Sequence, residues 1–270
     1  MPEVVLPGNF IALFADDCST SRAIDDAGNQ VCFQRDLDNL HQWSICNAMA
    51  FNVKKCKVMR LTKKRQPLVS NYSLDNSFLE DVKEFKDLGV TTTDNFNNWN
   101  SHIDIIVSKA NRMLGLIKRT YRGLDDIKTL RTLYCALVRS NIEYCSVVWS
   151  PYTKWNIEKA EKVQRAATKF ILKTEDNYET RLKKLNLMSL KNRRFLADVI
   201  FWYKAFNGLC KINIDSHIDF YSDADHYSFR KYNDLSLKKK YARTNPLKRS
   251  FFHRIVDSWN PFCPTILVRH

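Results

Sequence analysis

The chain has 270 residues, with 43 lysines and arginines against 29 aspartates and glutamates, which gives a formal net charge of +14 at pH 7. This length holds one large domain or two small ones with ample material for a core. The positive excess favours a polyanionic partner, but it selects no chemistry, because a ribosomal or chromatin protein would show the same excess.

Apolar and cysteine patterns exclude several classes of protein. The first fourteen residues lack the basic start of a secretory signal peptide and carry Glu3. No apolar run approaches the roughly 20 residues that cross a bilayer, so no membrane partner is expected. The eight cysteines form neither a Cys-x-x-Cys pair nor a Cys/His cluster, which argues against zinc and against a disulfide framework. We therefore expect reduced thiols in a nuclear or cytoplasmic protein that is not secreted.

An apolar stretch over residues 10–14 leads through Ala15 into two adjacent carboxylates, Asp16 and Asp17. The pattern predicts a buried strand that reaches water at the acidic pair. Neighbouring acids repel each other unless a cation lies on them. Oxygen ligands of this kind suit Mg²⁺, which binds one or two carboxylates together with substrate phosphates. The alternative is a strand that ends in a hydrated turn, where aspartate is common.

Downstream, the composition of residues 25–29 predicts a turn, and apolar periodicity predicts a helix over 32–49. A loop and a strand should follow over 51–61. Ser101 with Asp104 resembles a capping box and predicts the start of a helix. Its apolar stripe comprises Ile103, Ile106, Val107, Ala110, Leu114 and Ile117.

A second long helix is predicted from about residue 125 to 148, because Pro151 stops it. Its inward-facing residues should be Leu130, Leu133, Tyr134, Leu137 and Val138. Further helices are expected over residues 178–187, 190–207 and 249–258, whose aromatic residues should pack in a core. Between them, residues 211–248 show weak periodicity and predict a mostly irregular basic segment.

A third helix, predicted over residues 155–173, carries cations with spacings of three, four and four, which places them on one face. Like charges along one face destabilise a helix slightly, and a phosphate backbone would relieve them. The alternative is an ordinary solvated face. The four cations are Lys162, Arg165, Lys169 and Lys173.

Five blocks along the chain together resemble the reverse transcriptases of non-LTR (LINE-type) retrotransposons. Phe14-Ala15-Asp16-Asp17 resembles the aromatic-x-Asp-Asp box of that family. The other blocks follow in the family's order, which makes a chance match very unlikely. They are Ala-Phe-Asn-Val-Lys-Lys-Cys-Lys-Val-Met at 50–59, Val-Lys-Glu-Phe-Lys-Asp-Leu-Gly-Val at 82–90, Ile-Glu-Tyr-Cys-Ser-Val-Val-Trp-Ser-Pro at 142–151, and Phe-Phe-His-Arg at 251–254 with Trp-Asn-Pro at 259–261.

The resemblance implies an α+β fold that is mostly α. Residues 1–90 would form a partial palm of β-hairpin, helix and strand. Residues 91–175 would form a helical thumb, and residues 176–270 a basic helical C-terminal region. The family's upstream fingers, its earlier metal-binding aspartate and its N-terminal endonuclease have no counterpart in this sequence, and Met1 is expected to be an internal methionine or the edge of a truncated element.

The implied activity is RNA-directed DNA synthesis, in which two Mg²⁺ ions activate the primer hydroxyl and stabilise the leaving oxygen. The resemblance makes Asp16 a direct metal ligand and Asp17 a second, less direct one. Lys55 would act as general acid toward the leaving pyrophosphate, unless it only belongs to a solvated basic cluster. Leu88 and Gly89 would position the primer, unless they form an ordinary turn.

The implied partners are an RNA template, a DNA primer and their RNA–DNA hybrid. A lone acidic pair cannot hold two metal ions, so we expect the chain to be incomplete and inactive by itself. The alternative is a catalytically dead retrotransposon relic that only binds RNA or RNA–DNA hybrid.

Overall fold

The computed structural model describes residues 5–62, 64–66, 68–95, 99–123, 125–221 and 235–261. The chain divides into two units, Met1–Phe96 and Asn97–His270. Short strands around one long helix build the first unit, and helices dominate the second. About 50% of the chain is helical, which confirms the expected α+β class with a predominance of helix.

The first unit contains four two-stranded sheets in its described part, and three of them are antiparallel hairpins. The fourth pairs β3 with β6 in parallel. The elements are β1 (Asn9–Phe14), β2 (Asp17–Arg22), α1 (Ala27–Cys46), β3 (Lys57–Val58), β4 (Ser73–Leu74), β5 (Ser77–Phe78), β6 (Glu80–Asp81), β7 (Glu84–Asp87) and β8 (Val90–Thr93).

The hairpin β1–β2 contains the predicted strand and its acidic turn. Phe14 pairs with Asp17 across a two-residue loop. Ala15, the first loop residue, has φ 53°, which lies in the left-handed region that suits tight hairpin turns. The strand itself is confirmed, but its predicted burial is wrong, because Phe10 is 67% exposed and Phe14 is 64% exposed.

Helix α1 begins earlier than the sequence predicts. Asp26 caps it, since its carboxylate accepts a hydrogen bond of 2.7 Å from the Asn29 backbone N–H. Most of the predicted turn over residues 25–29 is therefore the first turn of the helix. Leu37 packs in the core of this unit with Tyr72, whose ring meets that of Phe33 edge to face at 5.0 Å.

In the second unit, α6 and α8 lie within one residue of their predicted bounds, and α2 begins close to its predicted start. No described helix combines the length and apolarity that crossing a bilayer requires. The elements are α2 (Asn100–Thr120), α3 (Ile127–Leu133), a π-helical segment (Tyr134–Arg139), α4 (Ser140–Glu143), α5 (Ser146–Trp149), α6 (Lys154–Leu172), α7 (Tyr178–Lys184), α8 (Leu190–Phe206), β9 (Asp219–Phe220), β10 (Leu237–Lys238), α9 (Asn245–Arg249) and α10 (Phe251–Trp259).

Helix α2 buries its predicted apolar stripe completely, but the predicted capping box is wrong. The helix begins at Asn100, so Ser101 lies inside the first turn. The carboxylate of Asp104 forms an ion pair with Lys159 of α6 instead. The buried stripe comprises Ile103, Ile106, Val107, Ala110, Leu114 and Ile117.

The helix predicted from residue 125 contains a π-helical segment, and its buried face differs from the predicted one. Four-residue spacing rotates successive side chains by about 40° in a 3.6-residue helix, and the wider π turn compensates for this drift. Leu137, predicted to face inward, is therefore 41% exposed. The residues buried at this spacing are Leu130, Tyr134, Val138 and Ile142.

The predicted continuous helix to residue 148 is also wrong, because the backbone breaks after Glu143. Tyr144 is extended at ψ 127°, and Cys145 is left-handed at φ 52°. The indole N–H of Trp149, which is fully buried, donates a 2.7 Å hydrogen bond to the Tyr144 carbonyl. In a continuous helix the Tyr144 carbonyl would accept from a backbone N–H. Here the indole N–H takes that place and stabilises the break.

A buried amide connects three helical elements. The Tyr134 hydroxyl donates to Gln164 Oε1 at 2.7 Å. Gln164 Nε2 donates to the Tyr178 hydroxyl and to the Met188 carbonyl, both at 2.9 Å. Burial raises the pKa of Tyr134 far above its usual range, which keeps the phenol protonated as a donor. Gln164 is fully buried, and these three hydrogen bonds satisfy both its amide oxygen and its amide nitrogen.

The carboxylate of Glu161, one turn earlier on α6, caps the start of α8. It accepts hydrogen bonds from the backbone N–H groups of Leu190, at 3.1 Å, and Lys191, at 3.3 Å. It also accepts a hydrogen bond from the Tyr178 hydroxyl. Ser189 completes the cap by accepting from the Asn192 backbone N–H. A negative charge at a helix N-terminus also interacts favourably with the helix dipole.

The C-terminal aromatic residues pack in a core, as predicted. Trp202 of α8 meets Trp259 of α10 at 6.2 Å between ring centres, and Ile255 is fully buried beside them. The segment 211–248 is more regular than predicted, since it contributes a pair of antiparallel strands and α9. Its residues 222–234 lie outside the described residues.

We expect Gln164→Ala to lower the free energy of unfolding by about 3 kcal/mol, because it leaves the buried Tyr134 hydroxyl and Met188 carbonyl without a partner. Urea denaturation followed by circular dichroism measures this change. Lys162→Ala, on the exposed side of the same helix, is the matched control and should stay within about 0.5 kcal/mol of the parent. Equal stability of the two variants would contradict the structural role of the amide.

Candidate functional site

The acidic pair lies at the turn of the β1–β2 hairpin. Asp16 is the second loop residue and Asp17 begins β2, and both are exposed. Within the described ranges, neither carboxylate forms an ion pair with a lysine or arginine. Two adjacent like charges without a protein counter-charge are the arrangement that a divalent cation stabilises.

A buried carboxylate on α1 holds both ends of this hairpin. Asp36 accepts a 2.8 Å hydrogen bond from the backbone N–H of Leu6 and another from the side-chain amide of Asn9, where β1 begins. Arg22, where β2 ends, lies 3.8 Å from the same carboxylate. Sequence reasoning missed this residue, and the only signal was its position beside Leu37 on the buried side of α1.

Lys55 lies in a tight turn between α1 and β3. Its backbone N–H donates to the Asn52 carbonyl at 2.9 Å, and its side chain is exposed. Burial raises the pKa of Cys18, and the nearby Cys56 thiol raises it further. Among the described residues, no hydrogen bond or ion pair joins the Lys55 side chain to Asp16 or Asp17.

Leu88 and Gly89 form the two-residue turn between β7 and β8. Their φ values are 44° and 85°, so both are left-handed, as a two-residue hairpin turn of this kind requires. Glycine adopts this conformation freely, whereas leucine rarely does. The β7–β8 sheet forms no ladder with β1–β2, so the structure shows a tight turn without joining it to the acidic pair.

Lys162, Arg165 and Lys169 are exposed on one face of α6, whereas Lys173 is the left-handed residue that ends the helix. Three of these four predicted cations already have acidic partners. Lys162 instead lies 5.7 Å from the ring centre of Trp155. Part of the predicted attraction for phosphate is therefore satisfied within the protein. The ion pairs are Arg165 with Glu158 and Lys169 with Glu175, both at 2.7 Å, and Lys173 with Asp125.

Metal binding at the acidic pair would use two protein carboxylates. No group of three or more His, Cys, Asp or Glu side chains arranged to hold a metal occurs among the described residues. Two exposed carboxylates fit Mg²⁺ when substrate phosphates complete its coordination, because Mg²⁺ commonly retains waters and phosphate ligands. They do not fit two metal ions without a further carboxylate.

Comparisons of this chain with protein-family models, with curated proteins and with solved structures find no match. What the chain does is therefore inferred from its residues, their geometry and the ordered sequence blocks.

Replacing the buried carboxylate that holds the hairpin should loosen the candidate site. We expect Asp36→Ala to cost about 3 kcal/mol, because Arg22 keeps a half-buried charge without its partner. Hydrogen exchange measured by mass spectrometry should show faster exchange over residues 9–22. Asp38→Ala removes an exposed acid from the same helix and should leave that exchange unchanged. Unchanged exchange in Asp36→Ala would contradict the anchoring role.

Thiol reactivity tests the placement of the two neighbouring cysteines. Burial raises the pKa of both Cys18 and Cys56, so less thiolate is present at about pH 8. We expect iodoacetamide to modify both more slowly than the exposed Cys46. Peptide mass spectrometry measures each rate, and the rates should converge in urea. Faster modification of Cys18 than of Cys46 would contradict the partial burial of Cys18.

Proposed function

We propose that this chain is part of an RNA-directed DNA polymerase of the non-LTR retrotransposon type, with its metal-binding turn at Asp16 and Asp17. The observation that supports this most is local. The aromatic-x-Asp-Asp box lies at the two-residue turn of a β-hairpin and presents two exposed carboxylates that have no basic partner in the described part of the chain. The order of the other four sequence blocks supports the same family.

The residues of this chain would have separate roles in nucleotidyl transfer. Asp16 and Asp17 would hold Mg²⁺, which when bound supplies charge stabilisation to the transferring phosphoryl group and activates the primer hydroxyl. The ammonium of Lys55, in the loop between α1 and β3, would give a proton to the leaving pyrophosphate. The Leu88-Gly89 turn would contact the primer backbone.

A further carboxylate has to come from another strand, and β1 is suited to receive one. In the described part of the chain β1 pairs only with β2, so its other edge offers unpaired N–H and C=O groups. An added strand would pair with these groups and extend the sheet. Phe10, Leu13 and Phe14 are exposed on the faces of the hairpin, where elements packed on an extended sheet would cover them. We expect no polymerase activity without the added strand.

A second candidate function is a retrotransposon relic that binds RNA or RNA–DNA hybrid without chemistry. The net charge of +14 favours this candidate equally well. The two candidates differ at the acidic turn, which the relic does not need.

Metal binding can be tested on the chain by itself. We expect Mn²⁺ to broaden the NMR signals of residues 13–19 selectively, and Asp16→Asn with Asp17→Asn to abolish that broadening. Asp25→Asn is the matched control, because Asp25 also belongs to an adjacent aspartate pair but lies 3.8 Å from Lys64. Equal broadening at both aspartate pairs would show nonspecific binding and would contradict the site.

Catalysis is tested by primer extension on an RNA template with Mg²⁺. The chain is assayed alone and fused behind the fingers and upstream palm of a non-LTR reverse transcriptase. We expect extension only by the fusion, reduced about a hundredfold or more by Asp16→Asn and unchanged by Asp25→Asn. Extension by an Asp16→Asn fusion would refute the assignment. Specific metal binding without extension by the fusion would favour the relic.

A further inference from the structure

One exposed face of α2 is a straight stripe of cations and aliphatic side chains. Its residues recur at spacings of four, three, four and three, which aligns them along the helix. All of these residues except the first, together with Met113, line a shallow surface depression. The stripe consists of Ile105, Lys109, Arg112, Leu116 and Arg119, and each of its members is exposed.

The three cations of this stripe have no acidic partner among the described residues. The single acid of α2, Asp104, pairs with Lys159. The two acids that follow α2 are also engaged, since Asp125 pairs with Lys173 and Asp126 caps α3 through the Lys128 backbone N–H. The stripe therefore differs from the cation face of α6, where three of four charges are paired.

The α2 stripe has a length and side chains that suit binding to a phosphate backbone. Lys109 and Arg119 are ten residues apart, or about 15 Å along the helix. A nucleic-acid duplex presents about nine charges over that distance, at one per ~1.7 Å. Arg112 and Arg119 carry the planar guanidinium that binds phosphate oxygens in pairs. The two aliphatic residues of the stripe, Ile105 and Leu116, offer too little apolar area for a membrane surface.

We propose that the α2 stripe, and not the α6 cation face, makes the main backbone contacts with a nucleic-acid duplex. This rests on the proposed function for the identity of the partner. The binding is independent of base sequence, because phosphates carry no sequence information. Three free cations release counterions from phosphate directly, whereas the paired cations of α6 first give up a protein partner.

Fluorescence anisotropy with a labelled 20-base-pair RNA–DNA hybrid, over a range of salt concentrations, tests this with the full chain. The first variant is Lys109→Gln with Arg112→Gln and Arg119→Gln. The matched variant is Lys162→Gln with Arg165→Gln and Lys169→Gln, which changes net charge equally. Circular dichroism confirms that both fold. Polyglutamate as competitor separates a nucleic-acid site from general attraction to acidic polymers.

We expect the α2 variant to reduce the slope of log K against log salt by about two to three and the affinity at ~0.1 M salt by about 10- to 100-fold. The α6 variant should change the slope by less than one. Equal losses, a larger loss in the α6 variant, or effective competition by polyglutamate would overturn the inference while leaving the metal and extension tests standing. Failure to bind the hybrid at all would also overturn the inference, while the metal and extension tests would still decide the proposed function.

Discussion

The helical unit depends on one buried amide and one buried carboxylate on the same face of α6. Gln164 and Glu161 are three residues apart, and both are almost fully enclosed. An amide or a carboxylate inside a protein is costly unless its hydrogen bonds are made, so the elements around them have few alternative positions. Tyr178 touches both, since it accepts from Gln164 and donates to Glu161. Apolar packing brings α6, α7 and α8 together, and this pair specifies how they meet.

Several arginines of this chain use their charge for contacts inside the protein. Arg193 makes a two-pronged contact with Glu143, and Arg254 makes one with Asp198. The guanidinium of Arg131 donates to the Leu185 carbonyl at 2.6 Å. The net charge of +14 already subtracts every acid, so it does not say where the unpaired cations lie. What matters for binding is which cations remain unpaired, and that distinction requires a structure.

Periodicity was a good guide where a helix is long and uninterrupted. The stripes of α2 and α6 recur over about five turns each, so small local deviations do not obscure them. It failed where backbone geometry changes within a helix, as at the π-helical segment and at Cys145. Neither contains a proline or glycine that would announce the change. Composition also mistook the start of α1 for a turn, because Asp26 and Asn29 are common in both.

The candidate site shows the same division between local and distant information. Neighbouring residues predicted a strand followed by two acids, and in the structure the two acids lie at a hairpin turn. The support from Asp36 was not readable, because its partners lie 14 to 30 residues away in sequence. The predicted burial of β1 failed for a related reason. An apolar run indicates what a strand can cover, and burial depends on which elements are present to cover it.

The π-helical segment Tyr134–Arg139 has a consequence for how this helix tolerates changes in length. It sets the phase between α3, whose Leu130 faces the core, and α4, whose Glu143 meets Arg193. Deleting one residue inside it would allow a regular α-helix with better hydrogen bonds. The wider turn holds the extra residue, so removing that residue would leave the direction of Glu143 toward Arg193 nearly unchanged. Deleting a residue from the regular turn of α3 instead would rotate the downstream contacts by about 100°.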